Sequence, residues 1–372
     1  MTSEIPLSRP LIDEREETLV LEVLRSGRLA LGPMIERFES LLAQRVGAEH
    51  AVAVSSGTAG LHLCVRLAGI GPGDEVITSP FSFVASANCI LYEGGTPVFV
   101  DVDPRTLNLD VAAVEAAITP STKAILPVDI FGYPADLAAI RSIADAHDLV
   151  VIEDACEAVG ATYRGRPLGS HAHPAVFAFY PNKQVTTGEG GAIAVPTADE
   201  YDLAKSLANQ GRADGGGWLE HTQLGFNYRM DELSAAVGIG QLEKFERLLA
   251  LRAAAAARYT AALAGSDQIV LPVPDDDACT RSWFVYVVQL DEAIDRERII
   301  ARLATEGIAT SRYLPSIHLQ PYMRERLGLG RGRLPVSESA SDRCLALPFF
   351  PEIAEAQQER VVDSLRRAIG SG

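Results

Sequence analysis

The chain has 372 residues, and 33 lysine and arginine residues against 49 aspartate and glutamate residues give it a formal net charge of −16. A chain this acidic offers no overall positive field to nucleic-acid phosphates or to an anionic membrane surface, so we expect neither as a partner. With 47 % hydrophobic and 22 % charged residues, the composition is that of an ordinary globular protein, and the length suits about two or three domains.

Cysteine usage and the amino terminus indicate the cytoplasm. An odd number of widely spaced cysteines fits a reducing compartment better than a disulfide framework, and the absence of a Cys-x-x-Cys pair argues against a zinc site. The first residues lack the basic and apolar regions of a signal peptide, and no uninterrupted apolar run reaches the roughly 18 residues of a membrane span. We therefore expect a cytoplasmic protein without a metal ion.

From about residue 50, short β-branched runs alternate with helical patterns. The predicted strands are 51–54, 75–78, 97–102, 124–129, 149–154, 175–179 and 191–195. The predicted helices between the first five strands are 58–69, 84–93, 111–118 and 136–147. Continuously apolar strands separated by helices predict a mostly parallel sheet covered on both faces. We therefore predict an α/β fold, with a large domain at 1–245 that includes an N-terminal segment, 1–30.

The rest of the chain, 246–372, predicts a smaller α+β domain. Its predicted elements, in chain order, are a long helix at about 240–264, a Pro/Asp-rich break at 271–278, a strand at 283–290, a helix at 296–307 and a strand near 308–313. The stretch 209–228 is rich in Gly, Asn and His and is expected to be an exposed loop, where functional residues are often found.

The segment SSGTAGL, residues 55–61, lies between a predicted strand and a predicted helix. Its small residues let backbone N–H groups approach an anion, and the helix amino terminus adds a positive dipole end. The same pattern is equally typical of an ordinary capped strand-to-helix turn. No strand–GxGxxG–helix, Walker A or GxSxG motif is present, so dinucleotide, P-loop and hydrolase interpretations are less favoured.

Asp154 and Lys183 add two chemical groups to this possible phosphate site. Asp154 ends an apolar strand, at the edge where parallel sheets bind ligands, although a solvated strand end is the simpler account of it alone. Lys183 lies in a Thr/Gly-rich loop of a chain with four lysines, and a lysine, unlike an arginine, can lose its proton and form a Schiff base. A phosphate cradle, a strand-end carboxylate and a loop lysine are the parts of a pyridoxal 5′-phosphate (PLP) site.

Five segments follow one another along the chain: SSGTAGL, PFSFVASAN, VVIEDACEA, FAFYPNKQVTTGEGG and GFNYRMDELSAA. Together they resemble the sugar-nucleotide aminotransferases of the DegT/StrS group, which belong to the aspartate aminotransferase fold type I. The resemblance extends from GRLALGP to LALPFFPEI, almost the whole chain. It implies a seven-stranded sheet, PLP as cofactor and a homodimer with shared active sites. It also implies conversion of a keto sugar nucleotide to an amino sugar nucleotide, with L-glutamate as amino donor.

The resemblance assigns cofactor roles residue by residue. Lys183 is expected to form the internal aldimine and Asp154 to pair with the pyridinium nitrogen. Phe83 matches the aromatic residue that stacks on the cofactor ring, although a core Phe is the alternative. The phosphate cradle is expected at Gly57, Thr58 and Ala59.

Further positions are expected to meet a neighbouring subunit or the substrate. Asn227 resembles a residue that reaches the phosphate of the neighbouring subunit's cofactor, although it also fits a local turn. The expected substrate-binding residues are Arg229, Tyr313 and His318. Arg229 is as consistent with a surface ion pair, and His318 with a structural role.

Two positions depart from the commonest family pattern. Ala178 stands where many members have a phosphate-binding Ser, and Glu157 stands where many have a Gln near the phenolic oxygen of the cofactor. A carboxylate there must be protonated or find a cation. Both residues are still expected beside the cofactor, but they leave the substrate class open.

Three alternatives remain at this point. One is amination of a keto-cyclitol with glutamine as donor. A second is the family's sugar dehydratases, which the resemblance makes unfavourable because they carry His where this chain has Lys183. The third is a non-catalytic regulator, against which the intact pair of Asp154 and Lys183 argues.

Overall fold

The computed structural model describes residues 4–212 and 220–370. In its larger part the helices are α1 (Glu14–Ser26), α2 (Pro33–Val46), α3 (Gly57–Leu67), α4 (Ala85–Tyr92), α5 (Val111–Val114), α6 (Leu137–His147), α7 (Ala198–Ala208), α8 (Glu232–Glu243) and α9 (Phe245–Leu263). The strands are β1 (His50–Val54), β2 (Glu75–Thr78), β3 (Thr96–Phe99), β4 (Thr122–Leu126), β5 (Val150–Val151), β6 (Glu153–Asp154), β7 (Thr162–Tyr163), β8 (Arg166–Pro167), β9 (Ala175–Ala178) and β10 (Gly191–Val195).

The central sheet consists of two four-stranded halves, ordered β3-β2-β4-β5 and β6-β9-β10-β1. They meet because β5 and β6 lie on one strand line: the Ile152 N–H donates to the Ile125 carbonyl at 3.0 Å, and the Asp154 N–H to the Pro127 carbonyl at 2.9 Å. The halves therefore form one sheet of seven strand lines. β10 runs antiparallel to both its neighbours, and the other pairs are parallel. The predicted mostly parallel seven-stranded sheet is confirmed.

The predicted helix at about 240–264 is present as α9, but it starts later than predicted, because the backbone breaks between α8 and α9 at Lys244. Lys244 adopts φ −106° and ψ 21°, and its ammonium lies 2.7 Å from a carboxylate oxygen of the buried Glu16 in α1. α8 packs on α1 and α2, whereas α9 packs on a helix near the carboxyl terminus. The break thus lets α8 and α9 pack against different helices, although the sequence pattern continues from one to the other.

A second, antiparallel sheet forms in the carboxyl-terminal part, in the order β11-β13-β15-β14. The elements there are β11 (Ile269–Val270), β12 (Cys279–Thr280), β13 (Tyr286–Leu290), α10 (Arg296–Thr305), β14 (Ser311–Arg312), α11 (Pro321–Leu327), α12 (Pro335–Arg343), β15 (Cys344–Leu347) and α13 (Glu355–Gly370). β12 pairs instead with β7, which pairs with β8.

The core of this second layer is shared by α9, α10, α13 and the antiparallel sheet, with Tyr259, Leu303 and Leu345 fully buried in it. Ile5 is buried in the same cluster and forms a parallel bridge with Ile308, so the amino-terminal segment reaches this layer. The division of the chain at residue 245 stays a prediction. None of the helices in the described ranges combines the length and the apolar character that a membrane crossing needs.

Candidate active site

A cavity of about 510 Å³ lies at the carboxyl ends of β6 and β9, beside the start of α3. Parallel sheets bind ligands at this edge. Eight of the residues singled out in the sequence line it: Gly57, Thr58, Phe83, Asp154, Glu157, Ala178, Lys183 and Tyr313. The structure therefore brings together most of the predicted cofactor site, and adds Tyr313 from the carboxyl-terminal part.

The start of α3 forms one wall. The Ser56 hydroxyl caps the helix by accepting the Ala59 N–H at 3.1 Å, which is why Ala59 serves the turn without lining the cavity. The first hydrogen bond within the helix runs from the Gly60 N–H to the Ser56 carbonyl. The N–H groups of Gly57 and Thr58 precede it and are therefore available to bind an external anion.

Close packing at Gly57 gives this wall its shape. A Cβ at Gly57 would lie 2.7 Å from the Ala178 Cβ and 2.9 Å from the Cys156 Sγ. A Cβ at Gly191 would lie 2.6 Å from the Gly57 nitrogen. Backbone and small side chains thus form the cradle, and Ala178 contributes a methyl group to it where a hydroxyl was expected in many relatives.

Asp154 ends β6 and is 4 % exposed. Its Oδ2 accepts the Ser86 hydroxyl at 2.6 Å, and its Oδ1 accepts the Cys156 N–H at 3.2 Å. These two donors hold the carboxylate in one orientation at the cavity wall. Ser86 is not among the residues singled out in the sequence. Its position one helical turn after Ser82 in the segment PFSFVASAN is the feature that could have indicated it.

Lys183 lies between a carboxylate and an aromatic ring. Its Nζ is 3.5 Å from Glu157 Oε1 and 3.8 Å from the centre of the Phe284 ring. Glu157 Oε2 also accepts the Phe131 N–H at 2.9 Å. Burial raises the pKa of Glu157, while the charge of Lys183 and the Phe131 N–H act in the opposite direction. The cation that Glu157 requires is therefore Lys183.

Two further carboxyl groups are fully buried behind Asp154. Glu153 Oε2 lies 2.8 Å from His173 Nε2, and Asp129 Oδ1 accepts the Ala135 N–H at 2.8 Å. The remaining oxygens, Glu153 Oε1 and Asp129 Oδ2, are buried, and no N–H or O–H group of the described residues donates to them, while each carboxyl group shifts the pKa of the other. Two ionised carboxylates buried side by side would repel each other, so we infer that the pair keeps a proton, which one carboxyl group donates to the other.

The surroundings of this pair favour uncharged forms. Burial raises the pKa of Glu153 to about 8, and burial together with the neighbouring Glu153 raises the pKa of Asp129. Burial also lowers the pKa of His173 to about 4. The pair therefore holds one proton at neutral pH beside a neutral imidazole.

Phe83 and Tyr180 line the mouth of the cavity, with 61 % and 52 % of their surface exposed. Phe83 is thus not a core residue, and its ring is free to cover a ligand. Phe284 and Tyr313 arrive from the carboxyl-terminal part. No local pattern in the sequence identified Phe284, because the position of its ring depends on how the second layer packs against the loop of Lys183.

His318 is not brought into the cavity. Its side chain is fully buried, and its Nε2 lies 3.1 Å from Glu338 Oε1. The structure therefore corrects the expectation that His318 contacts substrate, since a side chain enclosed by core residues and paired with a carboxylate offers no surface to a ligand.

Asn227 and Arg229 also lie outside the cavity. Asn227 is exposed and forms an antiparallel bridge with Asn209. Arg229 donates from Nη1 to Asn209 Oδ1 and Gln210 Oε1, both at 2.9 Å, and borders a second cavity of about 300 Å³. Of the predicted exposed loop at 209–228, residues 213–219 lie outside the described residues.

The cavity suits a phosphorylated pyridine. It combines a glycine cradle with free N–H groups at a helix amino terminus, a buried carboxylate, an exposed aromatic ring and a lysine. Its volume lies within the range of small-molecule sites. Sheet and cavity together define a PLP-dependent transferase of fold type I.

Comparison with known proteins gives the family. A model of the DegT/DnrJ/EryC1/StrS aminotransferase family matches residues 10–366. The chain is similar to spore coat polysaccharide biosynthesis protein SpsC of Bacillus subtilis (strain 168), with 38 % identity over 378 residues, 97 % of this chain and 96 % of SpsC.

Solved structures agree with this match. S. venezuelae DesV is 36 % identical, with a TM-score of 0.92 over 98 % of both chains. The PLP-form of Spr1654 from Streptococcus pneumoniae is 28 % identical, with a TM-score of 0.94 over 99 % of both chains. The sugar aminotransferase CalS13 from Micromonospora echinospora is 33 % identical, with a TM-score of 0.90 over 98 % of this chain and 99 % of that chain. The chain belongs to the DegT/DnrJ/EryC1/StrS aminotransferase family, and its cofactor is pyridoxal phosphate.

Proposed function

We propose that this aminotransferase converts a keto sugar nucleotide to an amino sugar nucleotide, with L-glutamate as amino donor. The observation that carries the proposal is the convergence of Lys183, Asp154 and the start of α3 on one cavity. The similar proteins support a sugar substrate, since CalS13 is a sugar aminotransferase and SpsC a spore coat polysaccharide biosynthesis protein.

Each residue has a distinct task in this proposal. The N–H groups of Gly57 and Thr58 bind the cofactor phosphate, and Phe83 covers the ring. Asp154, held by Ser86, pairs with the pyridine nitrogen and keeps it protonated, so that the bound cofactor supplies an electron sink. Lys183 binds the aldehyde carbon and moves a proton at the substrate carbon. Glu157 lies against Lys183 and orients its ammonium.

The substrate enters past Phe83 and Tyr180, both exposed at the mouth of the cavity. In the proposal, the segment 313–322 and the loop 209–228, of which the structure describes 209–212 and 220–228, enclose the sugar, and Tyr313 contacts it from the carboxyl-terminal side. Burial raises the pKa of Tyr313 above its usual range, so its hydroxyl stays protonated and can donate a hydrogen bond.

We further propose a cytoplasmic homodimer with shared active sites, in which Asn227 of one subunit reaches the site of the other. Asn227 is exposed and would reach the cofactor phosphate of the partner, and Arg229 would meet an acidic group near it. Four leucines near α1 and α2 are exposed: Leu21, Leu24, Leu29 and Leu31. An exposed apolar group of this kind supports a surface that a second subunit covers. Sedimentation of the purified protein at a single-chain mass would contradict this proposal.

The test is an absorbance spectrum of the purified protein with PLP, before and after addition of L-glutamate, and the same spectra for Lys183→Ala. We expect a visible band that L-glutamate converts to that of the pyridoxamine form, and no such band in the variant. Activity on keto sugar nucleotides is then screened. A protein that never binds PLP would overturn the proposal. A response to L-glutamine instead of L-glutamate, with activity on keto-cyclitols, would replace its substrate and donor.

A further inference from the structure

Arg252, on α9, is a buried charged side chain with no carboxylate partner among the described residues. It is 2 % exposed, and its hydrogen bonds in the described structure all go to backbone carbonyls. One nitrogen, Nη1, donates to Phe284 at 3.1 Å and Trp283 at 3.3 Å. The other, Nη2, donates to Lys183 at 2.7 Å and Asn182 at 3.4 Å. The guanidinium fork thus joins two segments that are distant in sequence.

Burying a cation without a counter-charge is costly, so this arrangement requires an explanation. A purely structural clamp between two loops could use a neutral amide. The geometry of arginine differs, because its planar group directs two pairs of donors along fixed directions and stays charged at neutral pH.

Each of the two segments that Arg252 joins supplies a group at the position of the Lys183 amine. One segment carries Lys183 itself, and the other carries Phe284, whose ring centre lies 3.8 Å from Nζ. Because Arg252 bonds the carbonyls of both residues, it fixes the backbone from which the lysine extends relative to the ring on which its amine rests. Glu157, at 3.5 Å, limits the amine on another side.

We propose that Arg252 is a positioning residue for Lys183: it holds the lysine backbone and the Phe284 ring in register, so that the amine points into the cavity. This inference rests on the proposed role of Lys183. Arg252 does not line the cavity, and it acts through the two backbone carbonyls.

Arg258 provides a matched control on the same helix. It donates to the Ile353 carbonyl at 3.0 Å and to Gln358, so it also anchors backbone in the carboxyl-terminal layer, but its partners lie away from Lys183. We compare Arg252→Gln, Arg252→Lys and Arg258→Gln. The lysine variant keeps the charge but not the two-sided fork, and therefore separates charge from geometry.

Two readouts follow the amine directly. The first, in cofactor-free protein, is the rate at which an amine-reactive ester labels Lys183, measured by mass spectrometry against labelling of Lys123. The second is the rate at which cofactor-free protein captures PLP, followed by absorbance. Thermal midpoints are recorded for all variants, so that general destabilisation is measured separately.

For Arg252→Gln we expect faster labelling of Lys183 and capture of PLP slowed by roughly tenfold to a hundredfold, because the amine leaves its position. For Arg252→Lys we expect partial recovery of both, and for Arg258→Gln values within about twofold of the wild type at a comparable fall in thermal midpoint.

Labelling and capture that change equally in Arg252→Gln and Arg258→Gln would overturn the proposal. If Arg252→Gln does not fold, Arg252→Lys decides: wild-type labelling and capture would also overturn it. Failure of the proposed function is distinguishable, since a wild-type protein that never captures PLP still reports on Arg252 through the labelling of Lys183.

Discussion

Replacement of Glu153 by Gln tests the buried proton behind the candidate active site. Gln has the shape of Glu, and its amide can accept from His173 and donate to Asp129, so the hydrogen bonds of the site can be kept. What the substitution removes is the proton shared by the two carboxyl groups. We therefore expect Glu153→Gln to change how stability depends on pH more than it changes stability itself.

The sign follows from the two folded-state pKa values. The pKa of Glu153 is raised from 4.5 to about 8, so the folded protein binds more protons than the unfolded chain, and stability falls as pH rises through this window. The pKa of His173 is lowered from 6.5 to about 4, which makes stability rise with pH between those values. The two contributions offset each other up to pH 6.5, and above it the carboxyl contribution remains alone.

The magnitude comes from the interval that remains. Between pH 6.5 and 8 the pair costs the wild type about 1.4 kcal/mol per pH unit, hence about 2 kcal/mol in all. An unfolding entropy of about 2.1 cal/mol/K per residue gives about 0.8 kcal/mol/K for a chain of 372 residues. We therefore expect the thermal midpoint of the wild type to fall by about 2–3 °C more than that of Glu153→Gln over this interval.

The assay is thermal unfolding of cofactor-free protein at fixed concentration, at several pH values from 6.5 to 8. Glu338→Gln is the control, since Glu338 is also buried and paired with a histidine, His318. Burial alone would raise the pKa of Glu338, but N–H donors from Gly332 and Leu334 outweigh it and leave the pKa lowered. The control should keep the wild-type pH dependence. The same pH dependence in wild type and Glu153→Gln would refute the shared proton.

Three further substitutions test the cradle, the carboxylate and the fold. Gly191→Ala places a Cβ 2.5 Å from the Ser56 carbonyl carbon, and we expect it to weaken PLP binding, measured by titration, at least about tenfold. Gly71→Ala is the control: the space around its Cβ is open, and it should leave PLP binding unchanged. Ser86→Ala removes the hydroxyl donor to Asp154 and should weaken PLP binding about tenfold, while Ser82→Ala, which loses a bond only to Ser86, should have a smaller effect. The buried carboxylate of Glu232 accepts the N–H groups of Gly32, Met34 and Ile35 at the start of α2. Glu232→Ala leaves these three groups without that acceptor and should lower the free energy of unfolding, measured in urea, by about 3 kcal/mol. An unchanged urea midpoint would contradict the capping role.

The sheet edge of the site could be predicted because it depends on local order along the chain. Asp154 ends an apolar strand and the segment of Gly57 follows another, and the ends of parallel strands meet at one edge. Lys183 could be found because a lysine is rare in this chain. These inferences required only the strand pattern and the chemistry of each residue type.

The remainder depends on contacts between distant segments. Phe284 reaches the cavity from the second layer, and nothing in its neighbouring residues indicates it. The family resemblance places His318 at the substrate, but in the fold it is buried and paired with Glu338. Lys244, at the helix break, likewise pairs with Glu16, which lies more than two hundred residues earlier in the chain.

Compensation of buried charge is a further feature that the sequence leaves open. Glu157 is balanced by Lys183, Arg252 by four carbonyl groups, and the Asp129–Glu153 pair by one retained proton. In each case the residue type is visible in the sequence, whereas the compensating group is set by packing. Since the protonation state of a buried group depends on that compensation, a sequence can identify the groups of this site but not the charges they carry. The pH dependence of Glu153→Gln and the labelling of Lys183 in Arg252→Gln therefore measure what the three-dimensional arrangement adds.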